Sequence, residues 1–238
     1  MLERPKSTRG VGASRWLFSL TSGLVLALAA LFLSQFVPQV VLGLPLEGAT
    51  LGLVGVLQAL LVPLAVVSAL RLVGLRLRDV GLVRAGWAKE ALIGAGLALA
   101  FALVQFGLII PATGGAGRSD VLANSAQIGK SMGGLAGVVL LAWTGGFAEE
   151  LLFRGHVLPT LRGLLGGGRL GTAAAVAGTA ALFGALHGYQ GWAGVIDTGL
   201  YGGLALSLLY VWRGRLIAPI VAHALWNTLA GAAIVLWY

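Results

Sequence analysis

Seven apolar stretches, each near the length needed to cross a bilayer, dominate this chain of 238 residues. A spanning helix needs about 20 mainly apolar residues. Such runs lie at roughly 16–37, 51–70, 90–110, 132–153, 172–188, 193–212 and 216–237. They are rich in Leu, Ala and Gly and do not alternate between apolar and polar residues. Barrel strands are therefore excluded. Hydrophobic residues make up 58% of the chain and charged ones only 10%, whereas a soluble domain carries about 25% charge. An ordinary soluble globule and a disordered chain are both ruled out. The reading is an all-α polytopic transmembrane helical bundle of about seven to eight spans, with residues 1–238 as a single integral membrane domain. The first span has a basic flank like a secretory signal. Its apolar run is too long and no small-residue cleavage site follows, so it reads as a retained anchor.

The basic residues sort by loop. Thirteen lie in alternate segments: Arg4, Lys6, Arg9 and Arg15 before the first span, Arg71, Arg76, Arg78, Arg84 and Lys89 after the second, Arg162 and Arg169 after the fourth, and Arg213 and Arg215 after the sixth. The other loops hold only Arg118 and Lys130. This positive-inside bias places the N-terminus in the cytoplasm. It also accounts for the formal net charge of +8 without invoking nucleic acid, so no nucleic-acid partner is expected. The chain has no cysteine. Disulfides, thiolate catalysis and cysteine-ligated metals are excluded. Segment 111–131 is the longest polar loop, and Gly114, Gly115, Gly117 and Ser119 suggest a flexible one.

Ionisable residues at bilayer depth are costly and mark candidate functional sites. Around the fourth span these are Glu149, Glu150, Arg154 and His156. The fifth span ends at His187, the sixth contains Asp197, and the seventh contains His223 and Asn227. Residues four apart share a helix face. Glu150 can therefore pair with Arg154, and His223 shares a face with Asn227. Each feature alone has an ordinary structural explanation: a hydrogen-bonded packing histidine, an intrahelical ion pair, an amide bridging two helices. The combination of two carboxylates, two histidines and an amide on three helices is what points to chemistry. His156 reads as a polar residue at the cytoplasmic edge, and Asp197 as a structural partner near the outer end of its span.

If the fourth and fifth spans form a hairpin, residues at equal depth average to its turn. The mean of 149 and 187 falls in Gly166–Gly171, the best turn signal nearby. Glu149 and His187 can then lie level. The seventh span puts His223 close to its cytoplasmic start, which requires the fourth helix to protrude beyond Arg154 or to bend at Pro159.

A carboxylate and an imidazole sharing a water can act as general base and acid. A second histidine with an amide can steady a developing oxyanion. Peptide-bond hydrolysis by activated water fits this set and needs no Ser, Thr or Cys nucleophile. The rival account is a divalent metal such as zinc held by Glu149, His187 and His223. No H-E-x-x-H helix accompanies that ligand set.

Three ordered motifs carry a resemblance. Glu149-Glu150-Leu-Leu-Phe-Arg154-Gly is an E-E-x-x-x-R-G match, Phe183-Gly-Ala-Leu-His187 an F-x-x-x-H match, and His223-Ala-Leu-Trp-Asn227 an H-x-x-x-N match. In this order on successive apolar segments they resemble the CPBP (CAAX protease and bacteriocin-processing, Abi) family of intramembrane proteases. Its eukaryotic relatives are the type II CAAX prenyl endopeptidases. The resemblance covers a catalytic core at about 130–235. It implies that Glu149 and His187 activate water, that His223 and Asn227 steady the oxyanion, and that Glu150 and Arg154 orient the site. It further implies an endopeptidase acting near the cytoplasmic face on a membrane-associated or prenylated peptide. No cofactor is expected to be required, with a divalent metal such as zinc as the alternative. The expected setting is a bacterial-type plasma membrane. The alternative is a non-catalytic membrane scaffold or bacteriocin-immunity protein using the same bundle. A transporter is disfavoured because no internal repeat is visible.

Overall fold

The computed structural model describes residues 10–237. The basic residues Arg4, Lys6 and Arg9 lie outside this range. Seven helical segments among the described residues are long and apolar enough to cross a membrane: Ala13–Val41, Thr50–Leu72, Trp87–Ala112, Met132–Leu164, Gly168–Leu186, Gly188–Arg213 and Ile217–Trp237. No strand occurs among the described residues. The all-α polytopic bundle is therefore what forms, the make-up of a multi-pass integral membrane protein.

The spans are built from helices α1 (Ala13–Phe36), α2 (Thr50–Leu72), α3 (Trp87–Val104), α5 (Met132–Leu152) with its continuation α6 (Leu158–Leu164), α7 (Gly168–Leu186), α8 (Gly191–Thr198) with α9 (Leu206–Arg213), and α10 (Ile217–Trp237). A shorter helix, α4 (Ser119–Ile128), precedes the fourth span. Helix α5 is central: α2 packs along one side and α10 along the other. Outside these lie α1 against α2 and α3 against α10. The α6–α7 hairpin and the sixth span close the remaining side.

Lipid tails are as apolar as Leu, so helices in a membrane associate through close packing rather than hydrophobic burial. Small residues at the contacts permit that approach. A Cβ added at Gly163 on α6 would lie 2.6 Å from the Trp16 ring on α1. One added at Gly55 on α2 would lie 2.8 Å from the Leu141 backbone on α5. Between α3, the sixth span and α10 the contact is aromatic instead. Phe101 and Tyr201 stack at 4.1 Å and both meet Trp226.

The fourth span is the longest, and its course explains the depth mismatch seen in the sequence. It runs through a π-helical turn at Phe153–Val157 and continues past Pro159 to Leu164. Pro159 sits at the start of α6, where a missing N–H costs least. The hairpin turn follows at once. Gly166 and Gly167 have positive φ, and α7 begins at Gly168, as the averaging of positions 149 and 187 implied. His223 lies six residues past Ile217, about 9 Å along α10, whereas Glu150 lies about 21 Å from Leu164. The difference is the length by which α6 and the hairpin pass beyond the start of α10.

Three expectations change. Segment 111–131 is not a loose loop. It folds into a 3-10 turn and α4, and Arg118 is 6% exposed. Arg118 is a bidentate donor to Asp120 at 2.8 and 2.9 Å and also bonds Asp197. Hydrogen bonding to Asp120, ahead of that to Asp197, raises the guanidinium further above its ordinary pKa. Asp197 accepts a second bond from Gln105 at 2.6 Å, so its reading as a paired structural residue stands. His156, in contrast, is not at a polar edge. It is fully buried, and its Nε2 donates to the Ser19 carbonyl on α1 at 3.1 Å. Finally, Glu90 on α3 is a buried membrane carboxylate that hydropathy reading passed over. Arg213 bonds it at 2.7 and 3.1 Å.

Gly163→Val is expected to push Trp16 off α6 and to cost about 1–3 kcal/mol, read as a lower Tm in detergent. Gly96→Val, on a lipid-facing position with nothing within 4 Å of its added Cβ, is expected to leave Tm unchanged.

Candidate active site

Glu150 is fully buried on α5, and its Oε1 accepts two hydrogen bonds. One comes from Arg154 Nη1 at 2.7 Å, one turn along the same helix. The other comes from His223 Nδ1 at 2.7 Å on α10. An ionised carboxylate only accepts, so Nδ1 carries the proton of this bond. Two bonds to one oxygen, one charged partner included, offset the cost of burying the carboxylate.

Arg154 is the other half of the frame and is also fully buried. Its Nη2 donates to the Gly203 carbonyl at 3.0 Å, in the π-helical turn Gly199–Ala205 of the sixth span. Its guanidinium lies 5.1 Å from the centre of the Phe183 ring on α7, within cation–π range. One arginine therefore ties the fourth, fifth and sixth spans. Phe183 joins the remaining parts. It packs edge-on to Phe153 at 4.8 Å, stacks on His187 at 4.8 Å and meets His223 edge-on at 5.9 Å.

His187 closes α7 as its C-cap, and its Nδ1 donates to the Phe183 carbonyl at 2.8 Å. With that proton committed, a neutral His187 presents a bare Nε2. Glu149 is rotated by about 100° from Glu150 and is partly open, its side chain 27% exposed. Its Oε2 stands 3.8 Å from His223 Nε2, too far for a hydrogen bond, and has no hydrogen-bond partner. Asn227 is half-buried one helical turn beyond His223.

All six predicted residues thus sit on the helices expected. Glu150, Arg154 and His223 are directly bonded, with Glu149 beside His223. His187 reaches the group through the Phe183 ring, and its closest structural ties are to Phe183 rather than to Glu149. Among the described residues, no three His, Asp or Glu side chains come together in a way that could hold a metal ion. Sequence reasoning missed Tyr189, whose ring centre lies 6.0 Å from that of His187. Its only sequence signal is its place two residues after the motif histidine.

A buried carboxylate–arginine–histidine frame thus sits inside the helical bundle, with a second carboxylate beside it and a second histidine whose Nε2 is uncommitted. Residues 131–229 match the family model described as type II CAAX prenyl endopeptidase Rce1-like. That segment runs from the fourth span to the part of the seventh bearing His223 and Asn227, less than half of the chain, and over it the chain is similar to that family. No curated protein and no solved structure matches the chain.

Arg154→Met removes the charged partner of a fully buried carboxylate. It is expected to cost about 3–5 kcal/mol, measured as thermal unfolding in detergent. Arg84→Met, on an exposed loop, is expected to stay within about 0.5 kcal/mol of the parent chain.

Proposed function

We propose that this chain is a CAAX-type intramembrane endopeptidase that hydrolyses a membrane-associated or prenylated peptide with water activated by Glu149 and His187. The observation that carries this reading is the contrast between adjacent glutamates. Glu150 is fully buried, its Oε1 taken by Arg154 and His223 and its Oε2 shut away without a partner, while Glu149 is partly open and makes no hydrogen bond through the Oε2 that stands beside His223. A carboxylate held in place but left without a donor is suited to take a proton from water.

In this mechanism a water between Glu149 and His187 gives its proton to that pair, and its oxygen attacks the scissile carbonyl carbon. The carbonyl oxygen becomes an oxyanion. His223 meets it from Nε2 when that nitrogen is protonated, with Glu150 compensating the imidazolium charge through Nδ1. The Asn227 amide supplies a second donor from the same face of α10. Donors fixed before charge develops need little reorganisation during the reaction. The proton then passes to the leaving amine nitrogen as the C–N bond breaks. No metal takes part in this scheme.

Several observations support a site near the cytoplasmic side. His223 lies about 9 Å from the start of α10, next to the loop bearing Arg213 and Arg215. By the positive-inside rule that loop is cytoplasmic, which also puts the N-terminus inside. A bacterial-type plasma membrane suits this arrangement.

The test uses purified full-length protein and a fluorescent farnesylated CAAX peptide. Wild type is expected to cleave it, with at least a ~10³-fold loss of kcat/KM in Glu149→Gln and in His187→Ala at unchanged Tm. A strong chelator is expected to leave cleavage intact. Glu149→Gln cleaving at the wild-type rate would overturn the reading in favour of a scaffold, and loss on chelation with rescue by zinc would overturn the metal-free scheme. Orientation has its own check, since the chain has no cysteine. Ala116→Cys is expected to react with an impermeant maleimide added outside cells, and Arg84→Cys only after permeabilisation.

A further inference from the structure

The turn after His187 is more constrained than its exposure suggests. Residues Gly188–Gln190 form a single 3-10 turn between α7 and α8. Tyr189 is 57% exposed, and an exposed tyrosine ordinarily has no fixed hydrogen-bond geometry. Here Gln190 Nε2 donates to the Tyr189 hydroxyl at 3.1 Å. Gln190 is itself held twice more. Its Oε1 accepts from Thr198 Oγ1 on α8 at 3.1 Å, and its carbonyl accepts from Ser119 Oγ on α4 at 2.8 Å.

Two glycines make room for this clamp. Gly191 has φ of 72°, and a Cβ there would lie 2.6 Å from Ser119 Oγ. A Cβ at Gly194 would lie 2.7 Å from Gln190 Oε1. The turn therefore packs against both α4 and α8, with no space for a side chain at Gly191 or Gly194. Arg118, next to Ser119, reinforces the docking through its ion pair with Asp197 at the end of α8.

Counting donors gives the consequence. A phenol has one proton to donate and two acceptor positions. The bond from Gln190 uses an acceptor position and leaves the Tyr189 proton uncommitted. Nearby stands His187, with ring centres 6.0 Å apart and its Nε2 uncommitted.

We propose that Tyr189 is a positioning residue of this site, its hydroxyl oriented by Gln190 so that its free proton holds the water that His187 activates. The inference rests on the hydrolase reading above and extends it to a residue outside the three motifs. It makes the clamp of Ser119, Gln190 and Thr198 part of the active site's support. It also gives α4 a role: by docking on the turn, it fixes the rotamer of a residue over the site.

The experiment compares wild type, Tyr189→Phe, Gln190→Glu and the double variant with the same farnesylated peptide, separating kcat from KM. Tyr189→Phe keeps the ring and removes only the hydroxyl. It is expected to lower kcat about tenfold while KM stays within about twofold, since positioning acts on the transition state. Gln190→Glu can still accept from Thr198 but cannot donate to Tyr189, and its carboxylate captures the phenol proton. A similar loss is expected. Because both changes remove one interaction, the double variant is expected to match the singles rather than multiply them. Trp192→Phe, two residues past the clamp and 81% exposed, is expected to behave as wild type. If wild type cleaves and Tyr189→Phe keeps kcat within about twofold, or if the two losses multiply, the assignment is overturned. If Tyr189→Phe raises KM alone, the residue binds substrate uniformly and the positioning role is likewise overturned. Wild type failing to cleave farnesylated or unmodified peptide would overturn the hydrolase reading itself and the Tyr189 role with it.

Discussion

A carboxylate with no exposure at bilayer depth can stay ionised only if the protein replaces the water it has lost. Glu150 has one guanidinium and one imidazole for this, both on Oε1, while its buried Oε2 has no hydrogen-bond partner. Removing either partner leaves a buried charge uncompensated, which costs far more than the bonds are worth in water. The neighbouring helices are arranged around this constraint. Arg154 needs a second acceptor and finds it in the Gly203 carbonyl, which brings the sixth span in. Its cationic face needs a polarisable neighbour and finds the Phe183 ring, which brings the fifth. His223 brings the seventh. One charged group on the central helix thus specifies the contacts of three others, and it fixes the imidazole that faces the free carboxylate of Glu149.

The packing that permits this is made of small residues. A 33-residue fourth span is about 50 Å long, well beyond a hydrocarbon core of about 30 Å. Its excess forms the α6–α7 hairpin, held to α1 by the Trp16–Gly163 contact and by His156 bonded to Ser19. The π-helical turn at Phe153–Val157 lies between these two duties. Upstream, the helix presents Glu149 and Glu150 to the site. Within and beyond the turn, it presents Arg154 to the sixth span and His156 to the first. Extra-wide turns of this kind are frequent at functional sites.

Much of this was legible in the amino-acid order because a membrane amplifies simple signals. Apolar length located all seven spans, with ends within a few residues for most. The fourth is the exception, because the polar residues His156 to Arg162 masked a helix that continues to Leu164. Charge at depth identified Glu149, Glu150, Arg154, His187 and His223, since only a bonded or functional group is kept there. What hydropathy could not show was partnership across the fold. Arg118 counted as a loop charge, yet Asp120 and Asp197 draw it under the surface and turn the expected loose loop into α4. Glu90 was passed over because its partner Arg213 is more than a hundred residues away and counted as a loop charge too. His156 looked like an edge residue because its acceptor lies on the first helix. Tyr189 carries no charge and sits in a turn, so only the side-chain geometry around Gln190 distinguishes it.

The central claim is that two adjacent glutamates have divided their work: Glu150 holds the bundle together, and Glu149 is left free for chemistry. Thermal unfolding of Glu149→Gln and Glu150→Gln, purified side by side with the parent chain, tests it most directly. A buried, doubly bonded carboxylate facing Arg154 predicts a loss of about 3–5 kcal/mol for Glu150→Gln. A partly open carboxylate without hydrogen-bond partners predicts a change within about 0.5 kcal/mol for Glu149→Gln. Equal losses in the two variants, or a stable Glu150→Gln beside a destabilised Glu149→Gln, would contradict the account.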